Sequence, residues 1–94
     1  MEFNTRQAHI KREKDRARAI RKSTWWSNKI RNEKKCNYCG TSLEPEHATL
    51  DHIVPLSRGG ESVKGNIVVS CKPCNTTKAD STPVELLLQK LNSL

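Results

Sequence analysis

The 94-residue sequence is short of what builds a core: 34% of it is apolar and 4% aromatic, with two Trp, one Tyr, one Phe and one Met. So little apolar surface does not by itself offset the conformational entropy of ordering the chain, and an additional staple is required. Long apolar runs are missing too. The longest, Val84 followed by Leu86, Leu87 and Leu88, falls far short of the roughly 18 residues of a bilayer span, so no transmembrane helix is expected. The opening Met1-Glu2-Phe3 lacks the apolar stretch of a secretory signal, and the expected location is a reducing cytoplasm. At roughly 100 to 200 residues per domain, a second full domain is excluded.

What is present begins with four cysteines in two pairs. Cys36-Asn37-Tyr38-Cys39-Gly40 is one CxxC turn and Cys71-Lys72-Pro73-Cys74 is another. A CxxC turn presents two sulfurs from one bend, and two such turns supply the four thiolates of a tetrahedral structural Zn²⁺. The competing reading, redox or unpaired cysteines, fits a reducing compartment and a thin core less well. With all four positions filled by protein, this zinc would hold the fold and do no chemistry.

Charge divides the chain at the first cysteine. Residues 1–35 hold 12 Lys and Arg against 4 acids, a net +8, whereas residues 36–94 hold 5 against 6, a net −1. Zinc held by four thiolates would lower the whole-chain +7 to about +5 and leave the asymmetry intact. From Arg6 to Lys22 the arm has neither Gly nor Pro, which predicts a helix. Ile10, Ile20 and Ile30 fall about 280° apart on it and form no apolar stripe. The arm reads as a phosphate-gripping element, with Arg12 and Arg16 among its nucleic-acid contacts, or as a solvated leader ordered only on a polyanion. Trp25 and Trp26 read as an anchor onto the domain, with base stacking as the alternative.

Beyond Cys36, residues 47–54 and 66–70 read as short strands separated by a loop at Ser57-Arg58-Gly59-Gly60-Glu61. Pro73 suits the first turn of a helix expected to reach Ala79 or Asp80. Thr82-Pro83-Val84-Glu85 reads as an N-cap, a first-turn proline and a capping-box glutamate opening a last helix. Its Leu87, Leu88, Leu91 and Leu94 lie at helical spacing and are expected to pack on the core, with a dimer seam as the alternative.

Within this frame stand Leu50-Asp51-His52-Ile53-Val54-Pro55-Leu56, then Asn66, then Asn75 directly after Cys74. A lone strand histidine is more often structural than catalytic. Here, however, a carboxylate, an imidazole and an amide come from segments that the two CxxC turns draw together. Oxygen ligands from Asp51 and Asn75 suit Mg²⁺, and a neutral His52 beside them can take a proton from water. In a regular strand Asp51 and His52 point to opposite faces, so the pleat is expected to break at about His52.

The assembled pattern C-x2-C, L-D-H-I-V-P-L-S-x-G-G, N-I-V and C-x2-C-N-x2-K resembles the HNH endonucleases of the ββα-metal class, in their four-cysteine zinc subgroup. The resemblance covers Cys36 to about Lys78. It implies an α+β, treble-clef-like ββα core clipped by structural Zn²⁺, flanked by the basic helical arm and the C-terminal helix. It also implies that His52 is the general base, that Asp51 and Asn75 hold the catalytic ion, and that Asn66 pins the strand-linking loop behind the base. Asn75 stands where many members carry His. In this it resembles the HNH domains of RNA-guided CRISPR effectors and many phage enzymes, and an amide oxygen favours Mg²⁺ or Mn²⁺. The implied reaction is phosphodiester hydrolysis in DNA, most readily double-stranded, leaving 5′-phosphate and 3′-hydroxyl ends.

Lys78, one turn beyond Asn75, and Arg58 in the glycine loop are candidate phosphate contacts or ordinary surface cations. His9 and His47 lack motif context and read as structural or exposed. The expected organisation is a nucleic-acid-binding arm at 1–35, a nuclease core at 36–80 and a C-terminal helix at 81–94 packed on that core. Two alternatives remain: a non-catalytic zinc module that binds DNA, and an accessory subunit of a phage DNA-packaging machine that needs a phage or host protein partner. No base-reading domain is evident, and the chain is expected to act as a monomer or weak dimer.

Overall fold

The basic arm folds as two helices rather than one. In the computed structural model, which describes residues 2–78 and 82–92, α1 runs Glu2–Arg21 and α2 runs Thr24–Glu33. Ser23 makes the break: its hydroxyl donates to the Ile20 carbonyl at 2.6 Å and accepts the Trp26 N–H at 3.3 Å. One side chain thus ends α1 and caps α2. Lys34 closes α2 in the left-handed region, at φ 55°.

Two short antiparallel strands follow, β1 at Thr49–His52 and β2 at Ile67–Ser70, then α3 at Lys72–Lys78 and α4 at Pro83–Asn92. The architecture is α+β. Leu50 pairs with Val69 and His52 with Ile67, while Asp51 pairs with Val68. Strand alternation sends Leu50, Ile67 and Val69 to one face, where Ala17 of α1 and Trp26 of α2 complete the buried core. Asp51 faces the other way, toward α3 and the Lys78 ammonium. The arm therefore completes the core of the cysteine-bearing unit, with Trp26 as the anchor and Trp25 half-buried beside it under the ammonium groups of Lys29 and Lys64.

Regular strand ends at His52, where the pleat was expected to break. The Ile53 N–H bonds to the Asn66 carbonyl at 3.0 Å, and the chain then turns through Leu56–Arg58.

The C-terminal helix corrects one expectation. Half of its capping box forms: the Glu85 N–H donates to Thr82 Oγ1 at 3.3 Å, while the Glu85 carboxylate takes the Thr82 hydroxyl proton in place of the backbone N–H. Leu87, Leu88 and Leu91 do not pack on the core: each is more than half exposed, as is Val84. Helical spacing creates a stripe, but the arm already closes the core that the stripe was expected to cover. Leu94 and the expected end of α3 at Ala79 or Asp80 lie outside the described residues. Among the described residues, no helix is long and apolar enough to cross a membrane.

Candidate active site

The two CxxC turns meet at the junction of β2 and α3. The sulfurs of Cys36, Cys39, Cys71 and Cys74 all lie within 4.8 Å of one another, and Cys39 and Cys71 Sγ are 3.8 Å apart. A tetrahedron with metal–sulfur bonds of about 2.3 Å has an edge of about 3.8 Å, so this cluster can hold a metal ion such as zinc. Backbone N–H groups already turn toward the sulfurs, from Tyr38 to Cys36 and from Cys74 to Cys71, both at 3.4 Å. Hydrogen bonds from Thr41 hold the Cys39 thiol down at about 6, whereas burial pushes Cys74 up to about 12. The Asn37 N–H bonds to the Val69 carbonyl at 2.8 Å, fastening the first turn to β2.

Asn75 follows Cys74 directly, so the cluster that begins α3 also sets the position of this amide. A cavity of about 440 Å³ is lined by Asp51, His52 and Asn75 together with Lys14 and Ile10 of α1. The structure thus brings the carboxylate, imidazole and amide singled out in the sequence to one space. Asp51 is buried; its Oδ1 is 3.4 Å from Lys78 Nζ, and its Oδ2 has no hydrogen-bond partner. A buried, unpartnered carboxylate oxygen is costly, and the Asp51 carboxylate and Asn75 amide, which line the same cavity, are oxygen donors of the type that could hold a hard divalent cation. The Tyr38 phenol is raised above its ordinary pKa by its own burial and by the Asp51 charge, and so stays protonated.

His52 is lowered below its ordinary value because burial disfavours the imidazolium and outweighs the opposing pull of Asp51. It is therefore neutral near pH 7, the state a general base needs. Its Nε2 lies 2.9 Å from the Ser62 hydroxyl. Asn66 does not line the cavity. Its amide nitrogen donates to the carbonyls of Val54 and Glu61 at 3.0 and 2.9 Å, and its oxygen accepts the Val54 N–H at 2.8 Å. These three bonds close the loop that follows His52. Gly60 makes the closure possible, since a Cβ there would sit 1.9 Å from the Val54 carbonyl oxygen.

The four candidate phosphate contacts fare differently. Lys78 is 2% exposed, with Nζ 2.6 Å from the His52 carbonyl; it is an internal ion-pair partner of Asp51 rather than a surface grip. Arg58 pairs with Glu85 across to α4. Arg12 and Arg16 are each about half exposed and share Glu13 Oε2 at 3.7 and 3.1 Å. Three residues that line or support the site were not singled out in the sequence: Lys14, Glu13 and Ser62. An acid flanked by Arg12 and Lys14 was the available signal for Glu13; Ser62 gave none.

Residues 36–91 match the HNH endonuclease family. Among the relatives found, the CRISPR-associated endonuclease Cas9 of Actinomyces naeslundii is 41% identical over 56 residues, covering 58% of this chain and 5% of that protein. The CRISPR-associated endonuclease Cas9 of Corynebacterium diphtheriae is 33% identical over 48 residues, covering 50% and 4%. The chain therefore spans a small fraction of the length of either relative.

Proposed function

The chain belongs to the HNH endonuclease family, and on that premise we propose that it is a metal-dependent DNA endonuclease acting on double-stranded substrate. The observation that carries this is the convergence of Asp51, His52 and Asn75 on one cavity, with Lys14 among its lining residues. His52, kept neutral by burial, takes a proton from the attacking water. Asp51 Oδ2 and the Asn75 amide oxygen would hold Mg²⁺ or Mn²⁺. Such an ion, when bound, neutralises phosphate charge and stabilises the departing 3′ oxygen. Lys14 holds a phosphate of the entering strand, and exposed cations of α1 extend that grip along the backbone. The products are 5′-phosphate and 3′-hydroxyl ends. Asn66 acts through the loop as a positioning residue, and Cys36, Cys39, Cys71 and Cys74 would hold a structural Zn²⁺ that would fix the start of α3 and with it Asn75.

The deciding experiment is cleavage of supercoiled plasmid by zinc-loaded protein with Mg²⁺, Mn²⁺ or chelator, beside folded His52→Ala. Metal-dependent nicking that falls at least ~100-fold in the variant supports the reading, since a general base contributes roughly 10² to 10⁴-fold. Equal DNA binding by both proteins, with no cutting under any ion, supports a non-catalytic zinc module instead. One observation favours a partner-dependent form of the activity: the exposed Leu87, Leu88 and Leu91 of α4, which suit a phage or host protein or a second copy. Activity that appears only with added partner proteins, as for a packaging accessory, would identify it.

A further inference from the structure

Ser62 has one hydroxyl proton and two neighbours competing for it. Its oxygen lies 2.6 Å from the backbone carbonyl of Glu13 and 2.9 Å from His52 Nε2. A carbonyl can only accept, so the proton points to Glu13, and the contact with His52 must be filled by an N–H on Nε2. A neutral imidazole carries one such proton. Nδ1 is thereby left as the basic nitrogen of a ring that lines the cavity.

The serine is itself held from the same helix. It is 4% exposed, and its N–H donates to Glu13 Oε1 at 2.7 Å. Glu13 is 1% exposed, and Arg16 and Arg12 lie 3.1 and 3.7 Å from its other oxygen. One residue of α1 therefore clasps Ser62 with both its carbonyl and its carboxylate. Further along the helix, Arg6 reaches the Ser57 carbonyl and His9 the Gly60 carbonyl, each at 2.9 Å. These bonds join α1 to the loop that follows His52.

We propose that Glu13 and Ser62 are positioning residues for His52, so that the basic helix α1 dictates which imidazole nitrogen serves as the base. This deepens the nuclease reading and rests on it. A separate phosphate-gripping arm would have no reason to bury an acid against a serine of the active-site loop. A buried hydroxyl aligned between the helix and the base instead fixes both the tautomer and the orientation of the ring.

The test reads the tautomer directly, with nitrogen-15 spectra of the zinc-loaded full chain at a pH where His52 is neutral. The wild type is expected to show a single form, protonated at Nε2. Ser62→Ala is expected to show mixed tautomers and to lower kcat for plasmid cleavage about tenfold or more with KM near the wild-type value. Glu13→Ala should act in the same direction, whereas Glu13→Gln, which keeps an oxygen for the Ser62 N–H, should retain the single tautomer. A mixed or Nδ1-protonated wild type overturns the proposal, as does an unchanged tautomer in Ser62→Ala. If Ser62→Ala fails to fold, the wild-type spectrum and the two Glu13 variants still decide. A wild type that has the Nε2-protonated ring but cuts no DNA sinks the nuclease reading and leaves the clasp intact. Cleavage with a mixed tautomer does the reverse.

Discussion

Burying an ammonium costs several kcal/mol unless good partners surround it, and Lys78 has two, Asp51 Oδ1 and the His52 carbonyl. Removing it strands a buried carboxylate that already has one unpartnered oxygen. Lys78→Ala is therefore expected to lower stability by about 3 kcal/mol in urea unfolding of metal-free catalytic sites, with part of the loss recovered on adding Mg²⁺. Glu13 supplies a pH test of opposite character. The Ser62 N–H, assisted by Arg16, His9 and Arg12, holds its carboxyl below the usual 4.5 against the effect of burial. Because the folded value is depressed, the stability it contributes is fully present above that pH and is lost as pH falls through the lowered value. Urea midpoints measured across acid pH should therefore fall more steeply for the wild type than for Glu13→Gln. The Asp51, His52 and Asn75 set was legible in the sequence because its members belong to motifs tied to the cysteines. The Glu13–Ser62 clasp was not, because it joins helix and loop across 49 positions with no local pattern at either end.

Among the elements, the cysteine turns and both strands were legible, since each is specified within a few residues. The first helix was expected to end at Lys22, next to the observed break at Ser23, but the second helix Thr24–Glu33 was not foreseen: one serine ends the first and caps the second, and composition gives no sign of it. The leucines of α4 misled in the other direction, because periodicity fixes a face but not what covers it. The junction of β2 and α3 is where an element-level test belongs. Cys74 sits beside Asn75, so if the cysteine cluster holds zinc, stripping it with a strong chelator should free the start of α3 and the Asn75 amide together. Thermal melting should show a large drop in stability and plasmid cleavage should cease. Both should return with Zn²⁺ but not with Mg²⁺ alone.

At the scale of the molecule, the excess of 17 basic over 10 acidic side chains is gathered in residues 1–35, most of it on α1 and α2, the helices that also complete the core. Electrostatic binding to DNA should weaken steeply with salt. Because Lys14 stands in the cavity wall, Lys14→Ala is expected to weaken binding to unrelated duplexes alike and to reduce the slope of log affinity against log salt by about one. Titration of two unrelated duplexes across salt concentrations measures this. A slope unchanged from the wild type would remove Lys14 from the phosphate contacts.

Recognisable similarity to the family begins at Cys36, yet Ile10 and Lys14 wall the cavity and Ala17 and Trp26 complete the core. The border drawn by shared ancestry therefore runs through the middle of the cavity that gathers Asp51, His52 and Asn75 instead of around it. Any fragment trimmed to that border would keep the four cysteines and Asp51, His52, Asn66 and Asn75. It would also bare Leu50, Ile67 and Val69 to water and release the loop behind the base. Moving this HNH unit onto another protein thus requires carrying the first two helices along with it, with the fusion point placed ahead of them.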